Sequence, residues 1–156
     1  MLMQALDRGI VSLEDPVTKF YNQANPPVFG PHNPYSSDLS GVTLHSLAQH
    51  SSGLSREVPQ PTVNMSDAEV FKWVNKSPLL YAPYSTSRYS NLGTSILGQS
   101  IARAAKTSFE QWLQTQLFDV VGMSSSTFSF PPDIVKRMPS TRARDRVRVG
   151  RACELI

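Results

Sequence analysis

Residues 91–105 constrain the fold more than any other stretch, because they have the pattern of an amphipathic helix with glycines in its interior. The apolar residues recur at a spacing that places them on one helical face, at Leu92, Ile96 and Ile101. Gly93 and Gly98 would each cost such a helix about 1 kcal/mol relative to alanine. We therefore expect another helix to approach this one closely, because that contact would offset the cost.

Helix start and stop signals indicate several further helices and few strands. The clearest is Thr107-Ser108-Phe109-Glu110, which has the pattern of a capping box and precedes an apolar face that ends at Gly122. Four shorter helices are predicted: residues 2–8 with Gly9 as the stop, an Asp15 N-cap through Tyr21, a Thr43 N-cap through His50, and a capping box at 66–69 through Lys76. The chain should therefore be mainly α.

Directly before the glycine-containing helix stands Tyr89-Ser90-Asn91, which places a phenol and a carboxamide two residues apart. The Tyr89 hydroxyl could accept or relay a proton if a neighbouring cation lowered its pKa from about 10. The Asn91 side chain offers both a hydrogen-bond donor and an acceptor to an amide or ester substrate. The plain alternative is an ordinary tyrosine followed by an asparagine that caps the helix.

Residues 89–128 resemble the serine beta-lactamase-related family, which includes class C beta-lactamases, D-alanyl-D-alanine carboxypeptidases and their esterase-like relatives. In that family a Tyr-Ser-Asn motif precedes a glycine-containing helix, an aromatic-rich helix and a Leu-Gly-Met motif followed by a Ser/Thr run. In this chain Tyr89-Ser90-Asn91 opens the segment, and Val121-Gly122-Met123 stands near its end.

Three further stretches resemble the same family in the same order. Residues 9–17 resemble the turn after its nucleophile helix, and residues 42–54, VTLHSLAQHSSGL, resemble its ITLRHLLTHTSGL segment. Residues 83–89 resemble the approach to the tyrosine motif, with Tyr84 where a glycine is usual. The resemblance implies that residues 1–138 form a partial domain, the helical-lobe portion of an α+β serine beta-lactamase/transpeptidase-like fold.

The resemblance also implies acyl-enzyme hydrolysis or transfer on a small-molecule amide, lactam or ester, with no metal and no other cofactor. The family's nucleophile is the serine of a Ser-x-x-Lys motif, whose proton is shared by the lysine and the motif tyrosine. The 156 residues contain no Ser-x-x-Lys motif. Lys106-Thr107-Ser108 stands at a helix cap, whereas the family's Lys-Thr-Gly motif lies on a strand. Tyr89 and Asn91 are therefore the candidate catalytic residues, in a site whose nucleophile is absent from this chain.

We expect a truncated member of this family that is inactive as it stands, with the Ser-x-x-Lys helix placed by the family pattern just before Met1. The alternative is a non-catalytic binding or regulatory module that uses the remaining Tyr89/Asn91 cleft or a basic tail. A Ser-His-Asp hydrolase could use one of the three histidines, His32, His45 or His50. However, no Gly-x-Ser-x-Gly elbow supports that reaction.

The positive charge of the chain lies at its C-terminal end. The formal net charge is +3, but residues 136–156 alone hold seven Lys or Arg residues, so residues 1–135 are net acidic. Residues 139–156 show no periodic apolar face and no family motif, and we expect them to form a basic, disordered tail. The body offers no basic face to nucleic acid, and no aromatic residue interleaves with the tail arginines.

Compartment and assembly are poorly constrained by the sequence. Cys153 is the only cysteine, so no intrachain disulfide can form. No apolar run approaches the roughly 20 residues of a membrane span, and residues 1–3 do not begin a signal peptide. Two glycosylation sequons, Asn64-Met65-Ser66 and Asn75-Lys76-Ser77, faintly favour a secreted parent protein. The oligomeric state stays open.

Overall fold

Helices account for nearly all the regular structure of the described residues. The computed structural model describes residues 1–21, 39–58, 67–74, 77–128 and 132–137. The helices in these ranges are α1 (Leu2–Asp7), α2 (Leu44–Ala48), α3 (Asp67–Val74), α4 (Asn91–Ala104), α5 (Phe109–Leu113) and α6 (Pro132–Arg137). Two 3-10 turns span Val17–Phe20 and Leu39–Gly41, and a π-helical turn, Gln114–Phe118, continues α5.

Helix α4 lies at the centre of the fold. It contacts α1, α2, α5 and the 3-10 turn at Val17–Phe20. The predicted apolar stripe is confirmed, because Leu92, Ile96 and Ile101 are all buried. Burial of apolar side chains stabilises a fold by about 25 cal/mol for each Å² removed from water. The short helices around α4 are therefore held mainly by this shared core rather than by their own helical propensity.

The expected close approach of another helix to α4 is confirmed at Gly98. A methyl group added at Gly98 would lie 2.8 Å from Cε2 of Phe109, the first residue of α5. One added at Gly93 would lie 3.2 Å from Ser90 Oγ and 3.6 Å from Cδ2 of Leu47 in α2. Glycine thus lets α4 approach α5 at Gly98, whereas at Gly93 the tight contact is with the cap of the same helix and the contact with Leu47 is an ordinary one.

The helix signals were correct at some ends and wrong at others. Thr43 caps α2 in a capping box with Ser46, as predicted for Thr43, and Gly9 and Gly122 have the positive φ angles expected of helix stops. The cap of α5 is Ser108, whose side chain accepts from the Gln111 N–H, so the predicted Thr107–Glu110 box is wrong. The predicted and observed caps are one residue apart, and the sequence pattern alone could not choose between them.

Asp15 does not cap the 3-10 turn at Val17–Phe20, contrary to the prediction. Its carboxylate accepts hydrogen bonds from the Ser12 N–H and from Lys19 Nζ instead. Burial alone would raise the pKa of Asp15, but these two hydrogen bonds and the Lys19 charge together lower it. Asp15 therefore stabilises the turn by pairing with the Lys19 side chain rather than by capping the turn backbone.

Two backbone pairings align the segments that precede α4. Among the described residues, strand-like pairing is limited to a single antiparallel bridge between Pro16 and Thr43, at the start of α2. The segment after α2 pairs with the chain that leads into α4: Leu80, Tyr84 and Arg88 donate their N–H groups to the carbonyls of residues 53, 51 and 50, each at 2.7 Å. These bonds bring residues 50–54 alongside residues 80–88.

Gly53 lies in the 50–54 segment, at a point where the backbone of the 80–88 segment approaches it closely. Its φ of 80° is in the left-handed region that favours glycine. A methyl group added there would lie 2.0 Å from the Tyr81 carbonyl oxygen, much closer than two such atoms can approach. Gly53, the last residue of the Ser-Ser-Gly sequence, is therefore required by a backbone contact as well as by its left-handed conformation.

Alanine at Gly53 should destabilise the protein more than alanine at Gly122, although both glycines have positive φ angles, 80° and 73°. At either position the left-handed backbone should cost alanine about 1 kcal/mol. At Gly122 no atom lies within 4 Å of the new methyl group, whereas at Gly53 the clash should add about 1–3 kcal/mol. Urea unfolding of the two variants measures the difference, and equal losses of stability would contradict this packing.

Candidate active site

Ser90 anchors the candidate site. It is 1% exposed, and its hydroxyl donates to the Ser55 carbonyl at 2.7 Å while it accepts from the Gly93 N–H at 2.8 Å. The second bond makes Ser90 the N-cap of α4. The plain alternative for Asn91, that it caps the helix, is therefore wrong: Asn91 is the first helical residue.

Asn91 presents its side chain at the surface, next to a short turn formed by residues 55–57. Its Nδ2 donates a short hydrogen bond to Oε1 of Glu57. The same carboxylate oxygen lies 3.7 Å from Nε of Arg56. The amide that could bind a substrate carbonyl is thus occupied by a carboxylate of the same chain.

Tyr89 is the most exposed aromatic residue of this surface, with 61% of its area accessible. Its ring contacts the His50 ring, with the two centroids 4.7 Å apart and the planes tilted by 44°. The Arg56 guanidinium lies 5.8 Å from the Tyr89 ring centroid, within cation–π range. An arginine contributed by the 55–57 turn is therefore the cation that contacts the Tyr89 ring.

His50 connects α2 to the candidate site. It follows α2 in a left-handed conformation, with φ of 58°, and its Nδ1 accepts a hydrogen bond from the Ser90 N–H at 3.3 Å. An acceptor at Nδ1 requires that the proton of the neutral ring lie on Nε2. His50 thus contacts the backbone of Ser90 and the ring of Tyr89 together, which is a structural role.

Tyr84, at the position where the resembled family usually has glycine, adopts a conformation typical of glycine. Its φ is 66°. Its hydroxyl forms a short hydrogen bond with Oγ1 of Thr43, the N-cap of α2, and its ring meets the His45 ring edge-on at 5.9 Å. These contacts offset the cost of a left-handed tyrosine and connect the 80–88 segment to the start of α2.

The structure brings Tyr89 and Asn91 to one exposed surface and adds Arg56 and Glu57, which sequence reasoning missed. It also adds His50, which the sequence offered only as one histidine of a Ser-His-Asp hydrolase. The available signal was the Ser-Gly-Leu motif at residues 52–54, since Arg56 and Glu57 follow it after a single residue, Ser55. A residue that approaches through tertiary contact leaves no periodic pattern of its own.

Other candidates are not brought to this surface. Ser51 and Ser52 are buried, and His45 lies near Glu14, with Nδ1 and Oε1 3.8 Å apart. His32, residues 22–38 around it, both sequon asparagines, the start of the 66–69 capping box and residues 138–156 lie outside the described residues.

The described residues contain neither a metal site nor a membrane-spanning helix. Among the residues that the structure describes, no three His, Cys, Asp or Glu side chains lie together as ligands of one ion. None of the described helices combines the length and hydropathy needed to cross a membrane.

The comparison that decides the family is a match over nearly the whole chain: the beta-lactamase family model matches residues 1–152. The chain belongs to the beta-lactamase family. This family consists of serine hydrolases related to penicillin-binding proteins, so the resemblance seen in the sequence motifs is confirmed.

Two curated relatives illustrate the match. Beta-lactamase-like protein 2 of Dictyostelium discoideum is 32% identical over 137 residues, which cover 83% of this chain and 24% of that protein. The D-alanyl-D-alanine-carboxypeptidase/endopeptidase AmpH of Escherichia coli (strain K12) is 31% identical over 144 residues, which cover 88% of this chain and 36% of that protein. The chain therefore spans about a quarter to a third of the length of these relatives.

Solved structures agree on the fold. The beta-lactamase/D-alanine carboxypeptidase of Yersinia pestis, determined with citrate, superposes with a TM-score of 0.71 at 27% identity and covers 89% of this chain and 40% of that one. A class C beta-lactamase at 23% identity superposes with a TM-score of 0.66. The predicted helical-lobe portion of a beta-lactamase/transpeptidase-like fold is confirmed. The division at residue 138 stays a prediction, and the family match runs beyond it.

Leucine at His50 should loosen the candidate site. Leucine cannot accept from the buried Ser90 N–H, which should cost about 1–3 kcal/mol, and it tolerates a positive φ poorly. Asparagine is the matched variant, because it tolerates that backbone but lacks the imidazole ring.

We expect His50→Leu to speed hydrogen exchange at the Ser90 amide, and both variants to shift the Tyr89 ring resonances in NMR spectra. Wild-type Ser90 exchange in His50→Leu, at unchanged global stability, would contradict the contact between His50 and Ser90.

Proposed function

We propose that the surface around Tyr89 is the substrate-facing part of a serine acyl hydrolase or transferase site that acts on an amide, lactam or ester. One observation carries the proposal. Tyr89 and Asn91 reach the same exposed surface from a single buried anchor, Ser90, in a chain of the beta-lactamase family.

The proposed roles follow from the chemistry of the two side chains. The Tyr89 hydroxyl exchanges a proton with the attacking or leaving group, because a phenol can donate and accept a proton. The Asn91 amide donates to a carbonyl or carboxylate oxygen of the substrate, as it now donates to Glu57. His50 holds Tyr89 in place through its ring contact and through Ser90.

The 156-residue chain on its own is proposed to bind such substrates without turning them over. Acyl transfer in this family needs a serine nucleophile with a lysine three residues later, and no such pair occurs among these residues. A tyrosine and an asparagine can orient a carbonyl group, but they do not supply the attacking serine.

A second candidate function, a non-catalytic binding module on the same surface, is favoured by the absence of Ser-x-x-Lys from the chain. A longer product of the same gene separates the two. If a reading frame supplies Ser-x-x-Lys ahead of Met1, the longer protein should hydrolyse an acyl substrate, and Tyr89→Phe in it should lower kcat. If no reading frame supplies the motif, the binding module is the better account.

The 156-residue chain should give no burst and no turnover with a chromogenic cephalosporin or a nitrophenyl ester. Intact-mass measurement after treatment with a fluorophosphonate should show the unmodified mass, because no activated serine is present. Tyr89→Phe should behave like wild type in both assays. A covalent adduct on a serine, reduced in Tyr89→Phe, would contradict the proposed lack of turnover.

A further inference from the structure

Glu57 occupies the position in which a ligand would meet the candidate site. Its Oε1 accepts from Asn91 Nδ2 and lies 3.7 Å from Arg56 Nε. Both neighbours offer hydrogen-bond donors, and one of them carries a permanent positive charge. The geometry is that of a carboxylate held between an amide and a guanidinium.

The Glu57 carboxylate can leave without disturbing the backbone that supports it. The turn is attached to α4 by two bonds that do not involve the Glu57 side chain, from Leu92 N–H to the Arg56 carbonyl at 3.1 Å and from Ser90 Oγ to the Ser55 carbonyl at 2.7 Å. The Ser55 hydroxyl also donates to the Glu57 carbonyl at 2.9 Å. The backbones of Arg56 and Asn91 therefore keep their places when the Glu57 side chain rotates away.

Exposure makes this rotation inexpensive. The Glu57 side chain is 59% exposed and that of Arg56 is 72% exposed. An ion pair at such a surface contributes little to stability, because water solvates both charges well when they separate. An external carboxylate could therefore compete with Glu57 for the same two donors.

We propose that Arg56 and Asn91 form a binding site for the carboxylate of a small-molecule ligand, and that Glu57 occupies this site when the ligand is absent. The proposal deepens the proposed function, on which it rests for the location of the substrate surface. Tyr89 borders the site, since Arg56 lies over its ring. A ligand anchored here by its carboxylate would place its remaining atoms next to the phenol.

Glu57 would also set the affinity of this site. An incoming carboxylate must displace a negative charge that stays tethered nearby, so the wild-type chain should bind weakly. Removal of the Glu57 charge should strengthen binding by about fivefold, the factor that corresponds to about 1 kcal/mol.

NMR titration with N-acetyl-D-alanine tests the proposal, with N-acetyl-D-alaninamide as the uncharged counterpart. Dissociation constants are measured for wild type, Glu57→Gln and Glu57→Ala from the Asn91 side-chain amide and the Tyr89 ring signals. Glu14→Ala is the matched control, because Glu14 is also an exposed glutamate but lies beside His45. A Ser90 amide signal unchanged from wild type shows that each variant keeps the site folded.

We expect both Glu57 variants to bind N-acetyl-D-alanine about fivefold more tightly than wild type and Glu14→Ala. Arg56→Gln, added to Glu57→Gln, should remove the gain, and the uncharged amide should show none. Equal affinities in wild type and Glu57→Gln, equal gains in Glu14→Ala, equal binding of the uncharged amide, or no binding by any variant would each overturn the proposal.

The outcome is distinguishable from that of the proposed function. If carboxylate binding depends on Arg56 and the longer product of the gene shows no acyl turnover, the carboxylate site is supported and the enzymatic role is refuted. Acyl turnover in the longer product, unaffected by Glu57→Gln and Arg56→Gln, would do the reverse.

Discussion

The candidate site depends on the two hydrogen bonds of the buried Ser90 hydroxyl. One bond starts α4 by capping the Gly93 N–H, and the other fastens the 55–57 turn through the Ser55 carbonyl. A buried hydroxyl that lost its partners would cost about 1–3 kcal/mol, so both bonds are retained together. The start of α4 and the 55–57 turn are consequently held in a fixed position relative to each other.

The surface chemistry follows from that relation. The residues on either side of Ser90 point outward, Tyr89 against His50 and Asn91 against Glu57. Arg56 reaches both, through the Tyr89 ring and the Glu57 carboxylate. A rigid interior thus carries an exposed group of side chains that can exchange partners, which suits a site that must admit a ligand.

Local features of the fold could be predicted from the sequence, but tertiary contacts could not. The buried stripe of α4 and the Thr43 cap follow from spacing and cap chemistry within a few residues. The sequence predicts that Asp15 caps a helix, but aspartate is favoured at short turns as well as at helix starts. Only the folded chain shows that the Asp15 carboxylate accepts hydrogen bonds from Lys19 and from the Ser12 N–H. Tyr89 and Asn91 were found through a motif, whereas the contact between Glu57 and Asn91 joins residues 34 positions apart and has no local signature.

Ser90→Ala compared with Ser100→Ala tests this account most directly. Ser100 is also buried in α4, but its hydroxyl donates to the Ile96 carbonyl of the same helix. The account predicts that Ser90→Ala removes hydrogen-exchange protection at the Gly93 amide and the NMR signature of the contact between Asn91 and Glu57, while Ser100→Ala preserves both. Retention of that contact and of Gly93 protection in Ser90→Ala would contradict the central role of the Ser90 hydroxyl.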